Sequence, residues 1–134
     1  MINQLSIYAE NTKGAMNKIT NVLKDGNLSI QSLLTNDSGE FGVIRLLVND
    51  PEKAYDLFIK EGYMCRMDKV IGIYMQEKVG GLNDILEGIT ASNVNVDYIY
   101  ISFDRESAAP IAVMHVEGYE EVEMSLKSKG YKLL

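Results

Sequence analysis

The chain repeats itself. With Gly14 set against Gly80, the first half overlays the second at a shift of 66 positions, pairing Ile7 with Ile73, Tyr8 with Tyr74, Asn17 with Asn83, Ile19 with Ile85 and Asn27 with Asn93. Farther along the shift becomes 68, matching Val48 with Val116, Glu52 with Glu120, Gly62 with Gly130 and Tyr63 with Tyr131. The change of register places the additional residues in a turn between matched blocks. A duplicated unit of about 65 residues constrains the fold more than any single motif, because each copy must be one supersecondary unit that finds its partner surface in a neighbour. A unit of that size buries only about 60% of its unfolded surface. Each copy is therefore expected to lean on the other or on a second chain, with the division at residues 1–68 and 69–134. Segment 64–69 contains neither Pro nor Gly, so no flexible linker is expected between them.

Within each copy the hydrophobic pattern changes period. Residues 4–10 alternate, with Leu5 and Ile7 on one side and Ser6 and Tyr8 on the other, and residues 70–76 repeat the pattern with Ile71, Ile73 and Met75 inward. Period two predicts strands. Met16, Ile19 and Leu23, and then Leu82, Ile85, Leu86 and Ile89, recur at helical spacing. Gly26-Asn27 and Ser92-Asn93 follow those helices, supplying residues tolerant of the left-handed conformation a helix C-terminus often needs. Two extended segments come next, 28–36 and 41–49 around the turn 37–40, matched by 94–103 and 111–116 around the turn 104–107. Both pairs read as antiparallel hairpins, and the longer second turn absorbs the register change. Asp50 followed by Pro51 opens a second helix as a cap and a first-turn proline should. Gly62 and Gly130 end the second helices, and Tyr63 and Tyr131 begin short final strands. The order strand, helix, strand, strand, helix, strand predicts an α+β fold of two ferredoxin-like βαββαβ units, with helices on one face of antiparallel sheets.

Two faces follow from this reading. Leu5, Ile7, Ile44, Leu46 and Val48 face the helices in the first copy, and Ile71, Ile73, Ala112, Met114 and Val116 do so in the second. The other face carries Tyr8, Val43, Arg45 and Leu47, matched by Tyr74, Ile111, Val113 and His115. That surface is too apolar to remain wet, so it is expected to pack against the sheet of another chain.

Composition excludes several function classes. The net charge of -6 works against binding to phosphate backbones and anionic membranes. No nucleic-acid or membrane partner is expected. No apolar run approaches the roughly 20 residues of a membrane span, and the first residues lack the pattern of a signal peptide. The single cysteine, Cys65, offers no disulfide and no zinc-ligand spacing, and a packed thiol in a reducing, cytoplasmic compartment is expected. The lone His115 lies in mid-strand without a nucleophile motif, which points to an interface residue rather than a base. No metal, cofactor or catalytic constellation is expected.

The turns that follow the first strand of each copy carry the most chemical interest. Residues 10–16 and 76–82 place Gly14, and then Gly80 with Gly81, at a helix N-terminus, whose first amides lack internal partners and favour carboxylates or phosphates. The same glycines are also consistent with turn geometry alone.

In this order, and twice over, these features resemble the ACT domain, a small-molecule regulatory module that commonly senses amino acids. The resemblance rests on an alternating strand, a turn ending in Gly, a helix of about three turns, and then Leu28, Ser29, Ile30 or Val94, Asn95, Val96 where the family commonly has Gly, Ile, Asn, Ile. Stand-alone tandem ACT proteins are the most similar, through the run from Phe41 to Leu46 and the helix start at Asp50, Pro51, Glu52, Lys53 and Ala54. The resemblance implies effector binding at the first strand-to-helix turn, near the start of the second strand, and at the interface between ACT units. It points to Asn11, Lys13, Gly14, Ala15 and Met16 with Ser29, and to Glu77, Val79, Gly80, Gly81 and Leu82 with Asn95. Backbone amides would hold the ligand carboxylate, and Glu77, Asn11 or Asn95 its ammonium group. Ser29 stands where the family commonly has Asn, and Asn95 keeps that residue, which favours a composite site containing Asn95. The implied function is a non-enzymatic regulatory protein, expected as a homodimer, that binds a free amino acid and signals to a metabolic enzyme or regulator. The alternative is an accessory interaction subunit of a metabolic enzyme with no small ligand.

Overall fold

The computed structural model describes residues 1–36 and 41–134. The elements run β1 (Ile2–Glu10), α1 (Ala15–Asp25), β2 (Ile30–Asn36), β3 (Phe41–Val48), α2 (Pro51–Lys60), β4 (Met64–Tyr74), α3 (Gly81–Thr90), β5 (Val96–Phe103), β6 (Pro110–Val116) and α4 (Tyr119–Ser128). They form two compact units, Asn3–Asp68 and Lys69–Leu134 joined by Met1–Ile2. Each is a ferredoxin-like arrangement of antiparallel strands under two helices. The expected first hairpin turn, 37–40, lies outside the described residues.

In the Asn3–Asp68 unit the strand order is β2, β3, β1 and the first part of β4. Leu5 pairs with Leu46 and Ile7 with Ile44, which puts four apolar side chains on one face. Ile19 and Leu23 of α1 and Ala54 and Phe58 of α2 complete the same buried cluster. Both helices therefore cover one side of the sheet. Gly26, at the end of α1, allows this close packing, because a Cβ there would lie 2.5 Å from Leu57 Cδ1 and 3.3 Å from the Val22 carbonyl. The left-handed position falls one residue later, on Asn27 with φ 56°.

The Lys69–Leu134 unit repeats the plan. Ile71 pairs with Met114 and Ile73 with Ala112, and Ile85, Ile89, Val122 and Leu126 close the core over them. Asn93 takes φ 55° after α3. The irregularities repeat as well. The register shifts between Ile30 and Ser32 in the first hairpin and between Val96 and Tyr98 in the second, so the duplication preserves a β-bulge at the same place.

Three features differ from the sequence pattern. The expected short strand after Tyr63 and the expected strand 70–76 are one 11-residue strand, β4. Exposure alternates from Met64 to Met67, and no breaker interrupts the extended backbone. The second unit's final strand reduces to a bridge between Ile73 and Leu133, flanked by Tyr74 N–H donating to the Lys132 carbonyl and Leu134 N–H donating to the Gly72 carbonyl, both at 2.9 Å. Third, the sheet face opposite the helices is not uniformly exposed. Leu47, Ile111 and Val113 are at most 2% exposed, whereas Tyr8 is 37% exposed and Val43, Arg45, Tyr74 and His115 are half-buried, so the face expected to dock on another chain is covered at some positions and open at others.

That face also holds a polar network in the Asn3–Asp68 unit. Asp68 is buried and receives Arg66 Nε at 2.8 Å and Ser6 Oγ at 2.7 Å, while Arg66 Nη1 donates to the Tyr8 hydroxyl at 3.3 Å. A buried carboxylate needs this many donors, since leaving it unpaired costs several kcal/mol. Among the described residues no helix is long and apolar enough to cross a membrane.

Asp50 caps α2 as the sequence predicts, accepting a hydrogen bond from Lys53 N–H at 3.2 Å ahead of Pro51. Replacing Asp50 by Ala is expected to cost about 1 kcal/mol in urea unfolding, with Asn nearly neutral. An Ala variant as stable as the parent would show that the cap contributes nothing.

Candidate functional site

Each first strand runs into the same tight turn. Thr12 N–H donates to the Glu10 carbonyl at 2.9 Å and Ala15 N–H to the Thr12 carbonyl at 3.2 Å; Lys78 N–H and Gly81 N–H repeat these bonds to Gln76 and Lys78 at 2.9 and 3.1 Å. Gly14 and Gly80 precede the helices with φ 84° in both copies, a conformation that costs other residues roughly 1–2 kcal/mol. Nothing lies within 4 Å of a Cβ placed on either. Their role is therefore conformational.

The positions after those glycines are not equivalent. Ala15 begins α1, whereas its counterpart Gly81 has the Gln76 carbonyl oxygen only 2.3 Å from where a Cβ would stand. The second turn is packed more tightly on its helix.

In the first unit the turn borders a cleft of about 260 Å³. Asn11, Ala15 and Met16, all predicted site residues, line it, together with Glu10 and Thr12. Thr35, Val43 and Ile44 supply the opposite wall. The hairpin brings them there, because Glu10 pairs with Phe41 and Ala9 with Gly42 on β1 and β3, and Thr35 with Ile44 on β2 and β3. Among the described lining residues Glu10 is the one ionisable group. The cleft thus combines the start of α1, where the Ala15 amide already donates to the Thr12 carbonyl and the next amides have no partner within the helix, one carboxylate and an apolar wall. Such a set can hold a small zwitterion, amides to carboxylate and Glu10 to ammonium.

Other predicted residues lie elsewhere. Lys13 and Gly14 are exposed in the turn and do not line the cleft. Ser29 sits past the other end of α1, where its N–H donates to Asn49 Oδ1 at 3.0 Å and it borders a different cleft with Thr20, Lys24 and Asn27. An 11-residue helix spans about 16 Å at 1.5 Å per residue, so one small ligand cannot touch the turn and Ser29 of the same unit. In the second unit Glu77, Val79 and Gly80 are exposed, Leu82 packs against the core and Asn95 is exposed ahead of β5. Of these predicted residues Gly81 alone borders the described cleft beside that turn. Sequence reasoning passed over Glu10, Thr12, Thr35, Val43 and Ile44. Glu10 and Thr12 lay within the turn segment singled out, but the hairpin residues carried no signal beyond strand pattern.

The two side chains with reactive potential are occupied otherwise. His115 Nδ1 lies 2.8 Å from Asp97 Oδ2, and its ring stacks on Tyr98 with centroids 5.1 Å apart. Cys65 packs against the first core, and burial, helped by the Asp68 charge, pushes its thiol up to about 11. Among the described residues no group of three or more His, Cys, Asp or Glu is placed to hold a metal.

A sequence model of the ACT domain pair matches residues 1–122. The crystal structure of protein BT0572 from Bacteroides thetaiotaomicron superposes with a TM-score of 0.90 at 28% identity, covering 99% of this chain and 91% of that one. The regulatory subunit of aspartate kinase from Thermus thermophilus, in its ligand-free form, gives 0.66 at 12% identity over 93% of this chain and 88% of its own. The corresponding subunit from Thermus flavus gives 0.61 at 11% identity with the same coverage, 93% and 88%. The last two similarities concern fold. No match was found among curated proteins.

Two measurements check these assignments. Gly81→Ala is expected to destabilise by about 1–3 kcal/mol, because backbone rather than a movable side chain blocks the Cβ; Ala15→Gly should cost no more than about 1 kcal/mol, the helix-propensity difference. Equal losses would contradict the asymmetry of the turns. For Cys65, a rise from 9.0 to about 11 lowers the thiolate fraction at pH 8 by about two orders of magnitude, so alkylation should be slower by about that factor than for an exposed cysteine. The sign of the linkage is that stability present below pH 9 is lost as pH rises towards 11; reaction at the rate of free cysteine would contradict the packing.

Proposed function

Because the chain belongs to the ACT domain pair family, we propose that it is a non-enzymatic regulatory protein that binds a free amino acid and signals to a separate metabolic enzyme or regulator. The observation that carries this reading is the first-unit cleft, where the α1 amides, Glu10 and the apolar residues Met16, Val43 and Ile44 meet. A charged carboxylate on backbone amides contributes about 1.5–3 kcal/mol per bond, and burial of an aliphatic side chain adds roughly 1.5–3 kcal/mol. After the cost of association, affinity falls in the micromolar to millimolar range of a metabolite sensor.

Ser29 and Asn95 enter this reading through a second ACT unit. Since the turn and the start of the second strand lie at opposite ends of a helix, a ligand that touches both does so where two ACT units meet. A homodimer supplies that arrangement. Coupling to the partner requires the amino acid to favour one arrangement of the chains over another, because equal affinity for both shifts nothing.

A second reading, an accessory interaction subunit with no small ligand, is favoured by Ile101 and Phe103, which are 57% and 47% exposed on the terminal strand β5.

A thermal-shift panel of the standard amino acids discriminates the two. An apolar amino acid at 100 times its dissociation constant should stabilise the chain by about 2.7 kcal/mol. Glu10→Gln should weaken that ligand by about 1.5–3 kcal/mol, and N-acetylation of the amino acid should abolish binding. Silence across the panel, with partner capture lost in Ile101→Asp and Phe103→Asp, would replace the first reading by the second.

A further inference from the structure

The fold carries a groove in each unit on the other side of the first turn. In the Asn3–Asp68 unit it holds about 420 Å³ between Tyr8, Glu10, Thr12, Lys18, Tyr63 and Met64. In the Lys69–Leu134 unit it holds about 450 Å³ between Tyr74, Gln76, Lys78, Asp84, Tyr131 and Lys132, with Lys129 at its edge. At shifts of 66 and 68 these residues are the same positions of the repeat. The groove is therefore a property of the fold, and its lining is what has diverged.

That divergence is on balance towards positive charge. Glu10 becomes Gln76, Thr12 becomes Lys78 and Met64 becomes Lys132, and Glu61, which precedes the first groove in sequence, becomes Lys129. Against this trend Lys18 becomes Asp84. From Lys69 onward the chain has six Lys and Arg residues and ten Asp and Glu residues. Half of those cations border this groove, whereas Asp84 is the one acid among its described lining residues. A cationic groove on the more acidic half of an acidic chain is a local reversal of the field.

The side chains are held rather than free. Lys78 Nζ lies 3.2 Å from Asp84 Oδ2, and Lys132 Nζ stands 4.7 Å from the centroid of the Tyr74 ring. Lys129 Nζ contacts the Gly88 carbonyl at 3.3 Å and the Ser92 hydroxyl, which commits it to the end of α3. Gly88 permits the Tyr131 ring to lie across that helix, with its hydroxyl donating to the Asp84 carbonyl at 3.3 Å. Lys78 and Lys132 thus face the groove from two walls that Tyr131 and Asp84 tie together.

We propose that this groove is a binding site for a small dianion carrying oxygen donors, a phosphate monoester or a dicarboxylate, gripped by Lys78 and Lys132. It goes beyond the amino-acid reading, since it occupies the other unit and its gripping side chains, Lys78 and Lys132, are not among those assigned to the zwitterion, although Gly81 borders the groove. The first groove, lined by one acid, Glu10, and one cation, Lys18, has no such preference.

The test is a titration of the full chain with inorganic phosphate and, separately, with succinate, each against sodium chloride of equal ionic strength, followed by amide NMR. Saturable shifts confined to residues 74–84 and 129–132 are expected, with affinity reduced about tenfold or more in K78Q/K132Q. Saturation by both probes supports a dianion site, and saturation by one alone supports it and assigns the class. Shifts spread over the surface, shifts matched by chloride, or equal affinity in the double variant would overturn the proposal. Localisation on the parent chain keeps the result decisive even if the variant folds poorly. Competition between either probe and a bound amino acid would place both in one site and would also overturn it.

Discussion

The pairing of β1 with β3 is the constraint on which the first unit depends. Side chains alternate along a strand, so a slip of one residue would turn Leu5, Ile7, Ile44 and Leu46 away from α1 and α2 and put Ser6 and Arg45 into the core. The same register decides what happens at the strand ends. Ala9 opposite Gly42, and Glu10 opposite Phe41, set the hairpin beside the turn into α1, and the cleft is the space left between them. Core and site are two consequences of one set of hydrogen bonds.

Duplication makes the chain its own comparison. The left-handed glycine, the two backbone bonds of the turn, the bulge in the edge strand and the asparagine after the helix recur in both units. These are features the backbone needs. What differs between the units is side-chain chemistry and clearance, as with Ala15 against Gly81 and Met64 against Lys132. Backbone geometry is held fixed while the side chains diverge in charge, so the clefts of the two units offer different chemistry.

Polar burial in the first unit follows a similar economy of partners. Asp68 lies in β4, where the strand passes from one repeat to the next, and Arg66, Ser6 and Tyr8 are drawn around it from the same strand and from β1. Its carboxylate accepts from the buried Ser6 hydroxyl of β1 and from Arg66, so the network ties β4 to β1 as well as satisfying a charge.

The sequence by itself determined the repeat, the α+β unit, the helix-facing strand residues, the cap at Asp50 and the pairs Gly26-Asn27 and Ser92-Asn93 as the places for a left-handed residue, because each depends on local periodicity or on the steric limits of one or two residues. It also marked the turns at Gly14 and Gly80. Only the tertiary structure decided that β4 is one unbroken strand, that Leu47, Ile111 and Val113 are closed off, and that Ser29 lies a helix length from Asn11. Glu10, Thr35 and Val43 converge on one cleft through hairpin register, and the lysines at 78 and 132 share a groove because residues distant in sequence meet at one end of a sheet. Periodicity reports which side of an element a residue faces; it carries no information on what stands opposite, and a site consists of what stands opposite.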